Sequence, residues 1–372
     1  MIEQVEVILS DLRHTKNVQK ECQTINELAK MDATEALVNL YQSLFDTTKT
    51  RYIPEWAIRI VSGRITRSLI LLGSITGVVR ALELKQTQIK SSEQQARYIA
   101  AMLASAHTTE KLVAIFRKLS SDKDYHYFLT RLIQEMVVYD HNCSSVNEFK
   151  TFWENSKEKD EIYRLPLSRS ELEHELPLRH FTPGGSVASM PFGPLSDKPS
   201  AIIENSAIEL QQITAYSTKD LIEAALNNWM SESNGKVISG IYEAKSSLWP
   251  TKTQVSLPID ILKSVGLDKA IVTETSARRG FGIIFGAAAN GGAYNQGIYG
   301  AEGRLSTWKT IAGLSGMDWS VPFDELVEFA KACKWYKIEV TSEWFYQVAW
   351  DIGLTVHSPA DTLGILFATD TD

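Results

Sequence analysis

The sequence predicts an α+β protein in two parts, a helical N-terminal half and a mixed C-terminal half with a small, mostly antiparallel sheet. Three observations carry that reading. Residues 1–140 hold a single proline, Pro54, and repeat apolar positions at helical spacing. Six prolines then fall between Pro166 and Pro199, where no long helix survives. Beyond residue 201, short β-branched and aromatic runs alternate with helix-like segments.

The helical half reads element by element. Asp32-Ala33-Thr34-Glu35 has the pattern of a capping box, and Leu37, Leu40, Tyr41, Leu44 and Phe45 behind it share one helical face. Pro54 suits a first helical turn, followed by Trp56, Ile60 and Val61. The run Ser68 to Val79 reads as one buried helix, because its twelve residues fall short of the ~20 that a bilayer span needs. Ser91 or Ser92 caps a helix bearing Tyr98, Ile99, Met102 and Leu103; Leu112, Ile115, Phe116 and Leu119 mark another, and Leu129, Leu132, Ile133 and Met136 the last. Such helices pack as an irregular bundle or as a HEAT-like array of pairs, and no fixed repeat period decides between them.

Residues 1–150 are thus expected to form an all-α domain, 151–200 a Pro- and Gly-containing connector, and 201–372 an α+β domain, with strands only after about 200. In the last part, Ser217-Thr218-Lys219-Asp220 starts a helix that Asn234-Gly235 closes. Strands are expected at Val237–Ala244, Ala270–Thr275, Tyr336–Val340, Trp344–Trp350 and Leu363–Thr369. Helices are expected at Pro258–Val265, at about 276–290 and 301–315, and at Asp324–Cys333.

Composition narrows the function. The net charge of −7 argues against a general nucleic-acid binder. Residues 1–150 carry 19 Lys and Arg against 17 Asp and Glu, whereas 151–372 carry 19 against 28. Cys22, Cys143 and Cys333 form no C-x-x-C pair and fit reduced thiols. Glu3, Glu6, Asp11 and Arg13 interrupt any signal-peptide core. These features point to a soluble cytoplasmic protein with no membrane partner.

Chemistry concentrates in residues 280–316, which hold ten of the 21 glycines. Gly291 to Arg304 is neither a Walker loop nor a dinucleotide fingerprint, and Glu302 at the next helix start would repel an anion. Asn290-Gly291-Gly292 reads better as a helix C-cap, with Gly280, Gly282, Gly286 and Ala287–Ala289 allowing close helix contact. Arg304 and Trp308 lie one turn apart, and with Tyr294 and Tyr299 they would make an aromatic and cationic recognition patch. Trp308 also suits a core, since seven of nine tryptophans lie between Trp229 and Trp350. Asp351 and Asp370 are carboxylates near strand ends. Glu171, Glu173, His174 and His180 cluster around Pro177 without metal-ligand spacing. No cofactor, metal site or catalytic residue is assigned.

Four stretches carry a resemblance: Ser233-Asn234-Gly235-Lys236, Gly291 to Trp308, Val348 to Leu354 and Ala368 to Asp372. Together they resemble a largely bacterial family, domain-of-unknown-function family 6183, over roughly residues 229–372. The resemblance implies no activity, but favours the Gly-rich run and the C-terminal aspartates as a site. Candidate ligand or partner contacts are therefore Tyr294, Asn295, Tyr299, Arg304, Trp308, Asp351 and Asp370. Three functions compete: a non-enzymatic protein-binding or regulatory protein first, an enzyme with its site between loop 291–304 and the terminal strands second, and a scaffold subunit third.

Overall fold

The computed structural model describes residues 2–156, 160–188, 201–203, 210–244, 270–339, 344–345 and 350–370. The chain divides into two compact units. The first takes residues 1–143 together with 180–187, and the second takes 144–179 and 188–372.

The first unit resolves the choice between bundle and array. Helices Gln19–Lys30, Glu55–Leu72, Glu93–Ala106 and His126–Val138 stack in sequence as one layer. Helices Thr34–Leu44, Ile75–Leu84 and Thr109–Leu119 form the second layer, with Ile2–Leu12 packed on the first of them. Each helix pair turns at a short junction, and each junction is tied to the one before it. Ser74 Oγ donates to Asp32 Oδ1 at 2.6 Å. His107 Nε2 donates to Ile70 O at 2.6 Å, and Lys111 Nζ to Gly73 O at 2.5 Å. One pair further on, His141 Nε2 donates to Ala104 O at 2.8 Å, while its Nδ1 accepts from Thr109 Oγ1 at 3.0 Å. Both histidines reach back 37 residues to a carbonyl in the last turn of a helix. Those carbonyls have no partner within their own helix, so the side chain of the next pair satisfies them.

Local chemistry corrects two expectations here. Asp32 is not an N-cap: it sits in the left-handed region with φ 56°, and its carboxylate receives Thr34 Oγ1 and Ser74 Oγ while helix Thr34–Leu44 has no side-chain cap. The apolar run Ser68–Val79 is divided, because Gly73 ends one helix and Ser74 caps the next through Gly77 N. Ser92 and Thr108 cap their helices in the same way. No helix among the described residues is long and apolar enough to cross a membrane.

Strands begin earlier than expected. β1 (His180–Thr182) and β2 (Gly185–Val187) form a hairpin within the first unit. The second unit holds a sheet of seven described strands, all antiparallel to their neighbours, in the order β3-β6-β7-β8-β9-β5-β4. These are β3 (Ala201–Ile203), β4 (Leu210–Gln212), β5 (Lys236–Ala244), β6 (Ala270–Thr275), β7 (Lys334–Glu339), β8 (Ile352–His357) and β9 (Thr362–Thr369). Helices Ala277–Asn290 and Tyr299–Ser315 pack on each other. The first also lies on β7 and the second on β8 and β9. Of the strand expected at 344–350, only Trp344, Phe345 and Trp350 are described; none is in a strand, and the strand that follows begins at Ile352. The helix expected at Pro258–Val265 lies outside the described residues. Cys22, Cys143 and Cys333 are buried and free, and burial pushes the Cys333 thiol up to about 11.

The junction ladder has a pH signature. Burial, assisted by the nearby Lys111, lowers the pKa of His107 from its ordinary 6.5. The unfolded chain therefore takes up the proton first as pH falls. The stabilisation is complete above the ordinary value and is lost as pH drops from there towards the lowered one. Urea midpoints of the parent should decline from about pH 7 to about pH 5. His107→Gln should start about 1 kcal/mol less stable and show a flatter decline. A variant profile as steep as the parent's would remove His107 as the cause.

Candidate functional site

The Gly-rich connection between helices Ala277–Asn290 and Tyr299–Ser315 is built around one amide. Asn295 Oδ1 accepts from Gly292 N at 3.3 Å, Gly297 N at 3.0 Å and Asn228 Nδ2 at 3.1 Å, and Asn295 Nδ2 donates to Asn228 O at 3.3 Å. The chain can wrap this side chain because Gly291 and Gly297 take φ of 87° and 70°, which glycine adopts without steric cost. Gly291 N also bonds Ala287 O and Ile298 N bonds Ala288 O, so the first helix ends in a closed cap.

Arg179 braces the same cap. Its Nη2 donates to Asn290 O at 3.2 Å and Gln296 O at 2.5 Å, and its guanidinium lies 5.2 Å from the Tyr299 ring centroid. Asn290 Nδ2 returns a bond to Pro177 O at 2.8 Å.

Sheet register brings three of the four resembling stretches to one carboxylate. Lys236 pairs with Thr369, so Ser233 just ahead of β5 reaches Asp370 just beyond β9. Asp370 is fully buried, with Oδ1 accepting from Ser233 Oγ at 2.7 Å and Oδ2 from Ala293 N at 2.6 Å. A Cβ at Gly292 would stand 1.9 Å from Asp370 Oδ2. The constraint on Gly292 is this close approach, whereas the positive φ expected in the turn belongs to Gly291. From the fourth stretch, Asp351 Oδ1 accepts from Thr369 Oγ1 at 2.7 Å.

Arg304 is not on the surface. It is fully buried, and all three of its side-chain nitrogens donate to protein oxygens. Its Nε meets Glu173 Oε1 at 2.5 Å and its Nη2 meets Glu173 Oε2 at 2.9 Å. Nη1 donates to Pro166 O and Nη2 to Ser168 O, both at 2.8 Å. Glu173 is equally buried and also accepts from Trp308 Nε1 at 2.8 Å and Ser170 N at 2.5 Å. Trp308 stacks edge-on between Phe281 and Phe323 with no exposure. The expected cationic and aromatic patch is thus a core rivet, because a guanidinium this deep needs a bidentate carboxylate and the carboxylate in turn holds the tryptophan.

Of the seven candidate contacts, only Tyr294 faces solvent strongly, at 57%. Tyr299 is buried and its hydroxyl donates to Gln296 Oε1 at 3.3 Å. The structure joins Asn295 and Asp370 to one loop and Arg304 and Trp308 to one rivet, while Asp351 bonds Thr369. Among the described residues no three His, Cys, Asp or Glu side chains stand close enough to share a metal ion. Sequence reading named Glu173 only within a cluster with Glu171, His174 and His180, and missed both its S-x-x-E capping box with Ser170 and its pairing with Arg304.

Two variants separate these roles. Arg304→Ala strands a buried carboxylate and should cost about 3–5 kcal/mol, while Arg304→Met combined with Glu173→Leu recovers only part of that loss, because Trp308 Nε1, Ser170 N and the Pro166 and Ser168 carbonyls lose their partners. Urea unfolding of both checks it, and a double variant no better than the single one would reject the ion-pair reading. Gly292→Ala should cost about 1–3 kcal/mol through its clash with Asp370. The same change in an Asp370→Ala background should cost less, so additive losses would contradict the steric account.

Comparison with known proteins gives a family and no activity. Residues 19–372 match the model of a family of unknown function, DUF6183, so the match takes in the helical half as well as the C-terminal part that carried the resemblance. No curated protein and no solved structure matches.

Proposed function

We propose that this chain, which belongs to the DUF6183 family, is a non-enzymatic protein-binding protein whose contact surface lies on its stacked helices. The observation that carries the reading is a stripe on helix Glu55–Leu72. Trp56 and Ile60, one turn apart, keep 37% and 40% of their surface exposed, and Arg64 and Arg67 continue the same face two and three turns on. An exposed tryptophan and isoleucine, followed on the same face by half-buried arginines, are the residue types that anchor protein interfaces. Stacked helix pairs present such a face as an extended surface.

The Gly-rich region supports the same reading from the other side. Asp370, Asn295, Arg304 and Trp308 hold the fold together with the bonds that substrate chemistry would require of them. An enzyme centred on that loop would have to break its own core to work.

Affinity capture from a native lysate compares the parent with Ile60→Asp and Tyr294→Ala. Ile60→Asp should abolish retention of the captured partner and Tyr294→Ala should leave it unchanged. Capture lost only with Tyr294→Ala would move the contact to the Gly-rich loop and defeat the proposal.

A further inference from the structure

The face that carries Trp56 and Ile60 is already occupied over its second half by the chain itself. Strand β1 packs on helix Glu93–Ala106 within the first unit, and the hairpin turn reaches helix Glu55–Leu72. Phe181 is 8% exposed, its ring 5.9 Å from that of Tyr98. Arg67 Nε donates to Pro183 O at 3.0 Å, at the tip of the turn. Gly184 follows beside the Arg64 guanidinium, whose Nη atoms would lie 3.6 and 3.7 Å from a Cβ placed there. Arg64 also meets the Cys22 thiol on the neighbouring helix, yet among the described residues its buried Nε has no hydrogen-bond partner. The outer strand residue Val187 stays 71% exposed, so the hairpin lies on the helices as a surface arm.

The recognition chemistry is that of a peptide groove. Tyr98 receives one ring, and the Arg67 guanidinium receives one carbonyl of the turn, with the Arg64 guanidinium beside it. Nothing in these contacts requires the bound segment to be covalently continuous with the helices. Towards the start of helix Glu55–Leu72, Trp56 and Ile60 share the face of Arg64 and Arg67 and stay exposed.

We propose that the face formed by helices Glu55–Leu72 and Glu93–Ala106 is a peptide-recognition groove that residues 180–187 occupy in cis. Its partner is a polypeptide segment that presents an aromatic side chain two residues ahead of a turn carbonyl, displaces the arm and extends over Trp56 and Ile60. This rests on the protein-binding reading and names its groove and the class of segment it takes. While the arm is seated, the groove is open only part of the time, and the apparent affinity for the partner falls by that fraction.

The test uses the full chain and a synthetic peptide of residues 179–188 as probe. A dye attached at Val187→Cys reports on the arm, since Cys22, Cys143 and Cys333 are buried and escape labelling. The peptide should change the dye signal saturably, and a scrambled peptide should not. A labelled peptide should bind a Phe181→Ala chain about tenfold more tightly than the parent, and adding Arg67→Ala should weaken it again. Absence of a dye response, together with absence of binding to a folded Phe181→Ala chain, overturns the proposal. Should Phe181→Ala fail to fold, the dye response alone decides. Partner capture that still depends on Ile60 while the peptide fails would remove the groove assignment and leave the broader reading. Peptide binding without an Ile60-dependent partner would do the reverse.

Discussion

A guanidinium with no access to water dictates the arrangement of the second unit's core. Burying an isolated charge costs far more than any single contact returns, so Arg304 is tolerable only where every donor meets an acceptor and a carboxylate balances it. Glu173 supplies the balance, and Pro166 and Ser168 supply carbonyls, which fixes the path of residues 166–173 against helix Tyr299–Ser315. The same carboxylate then orients Trp308, whose ring organises Phe281 and Phe323. With those rings placed, the two glycine-rich helices have one way to approach each other. The loop between them is closed by Asn295 from inside and by Asp370 from the end of β9.

This dependence explains why a segment so rich in binding-type residues is architectural. Arg, Trp, Asn and Asp are the side chains of recognition sites because they make several directional bonds, and the same property makes them useful for locking a turn. Which use prevails depends on partners far away in the chain. Glu173 lies 131 residues before Arg304, and Ser233 lies 137 before Asp370.

Legibility in the sequence follows the range of the interactions involved. The helices of residues 1–140 were readable because amphipathic periodicity is local. Their stacking as pairs was not, because the ties His107 to Ile70 O and His141 to Ala104 O span 37 residues and leave the apolar pattern unchanged. Their 34-residue offset, shared by the caps Ser74 and Thr108, is carried by polar junction residues. A search for repeated apolar positions passes over them. β5, β6, β7 and β9 were anticipated from β-branched and aromatic runs, whereas Ile352–His357 is buried almost throughout and offers little alternation to read. The hairpin at 180–187 was hidden by its own prolines and glycines, which mark a turn and a linker equally. The capping box at Ser170 and Glu173 was present in the letters, and only its burial revealed that Glu173 serves two purposes.

The seated hairpin has the energetics of a displaceable contact. Burial of one phenyl ring contributes roughly 1.5–3 kcal/mol, and one hydrogen bond from an arginine roughly 1.5–3 kcal/mol more. Without a tether, a gain of about 4 kcal/mol corresponds to a dissociation constant of about 1 mM. Covalent attachment supplies an effective concentration of about the same millimolar order. An arm held at that balance is seated much of the time and released often. A free segment with the same ring and carbonyl would compete poorly at micromolar concentration. One that also covers Trp56 and Ile60 adds apolar area that the arm never reaches, and that added burial is what would let it win. Under the proposed groove, the two halves of the stripe would have different roles on a single helix face: the occupied half would set a threshold, and the open half would determine which segments pass it.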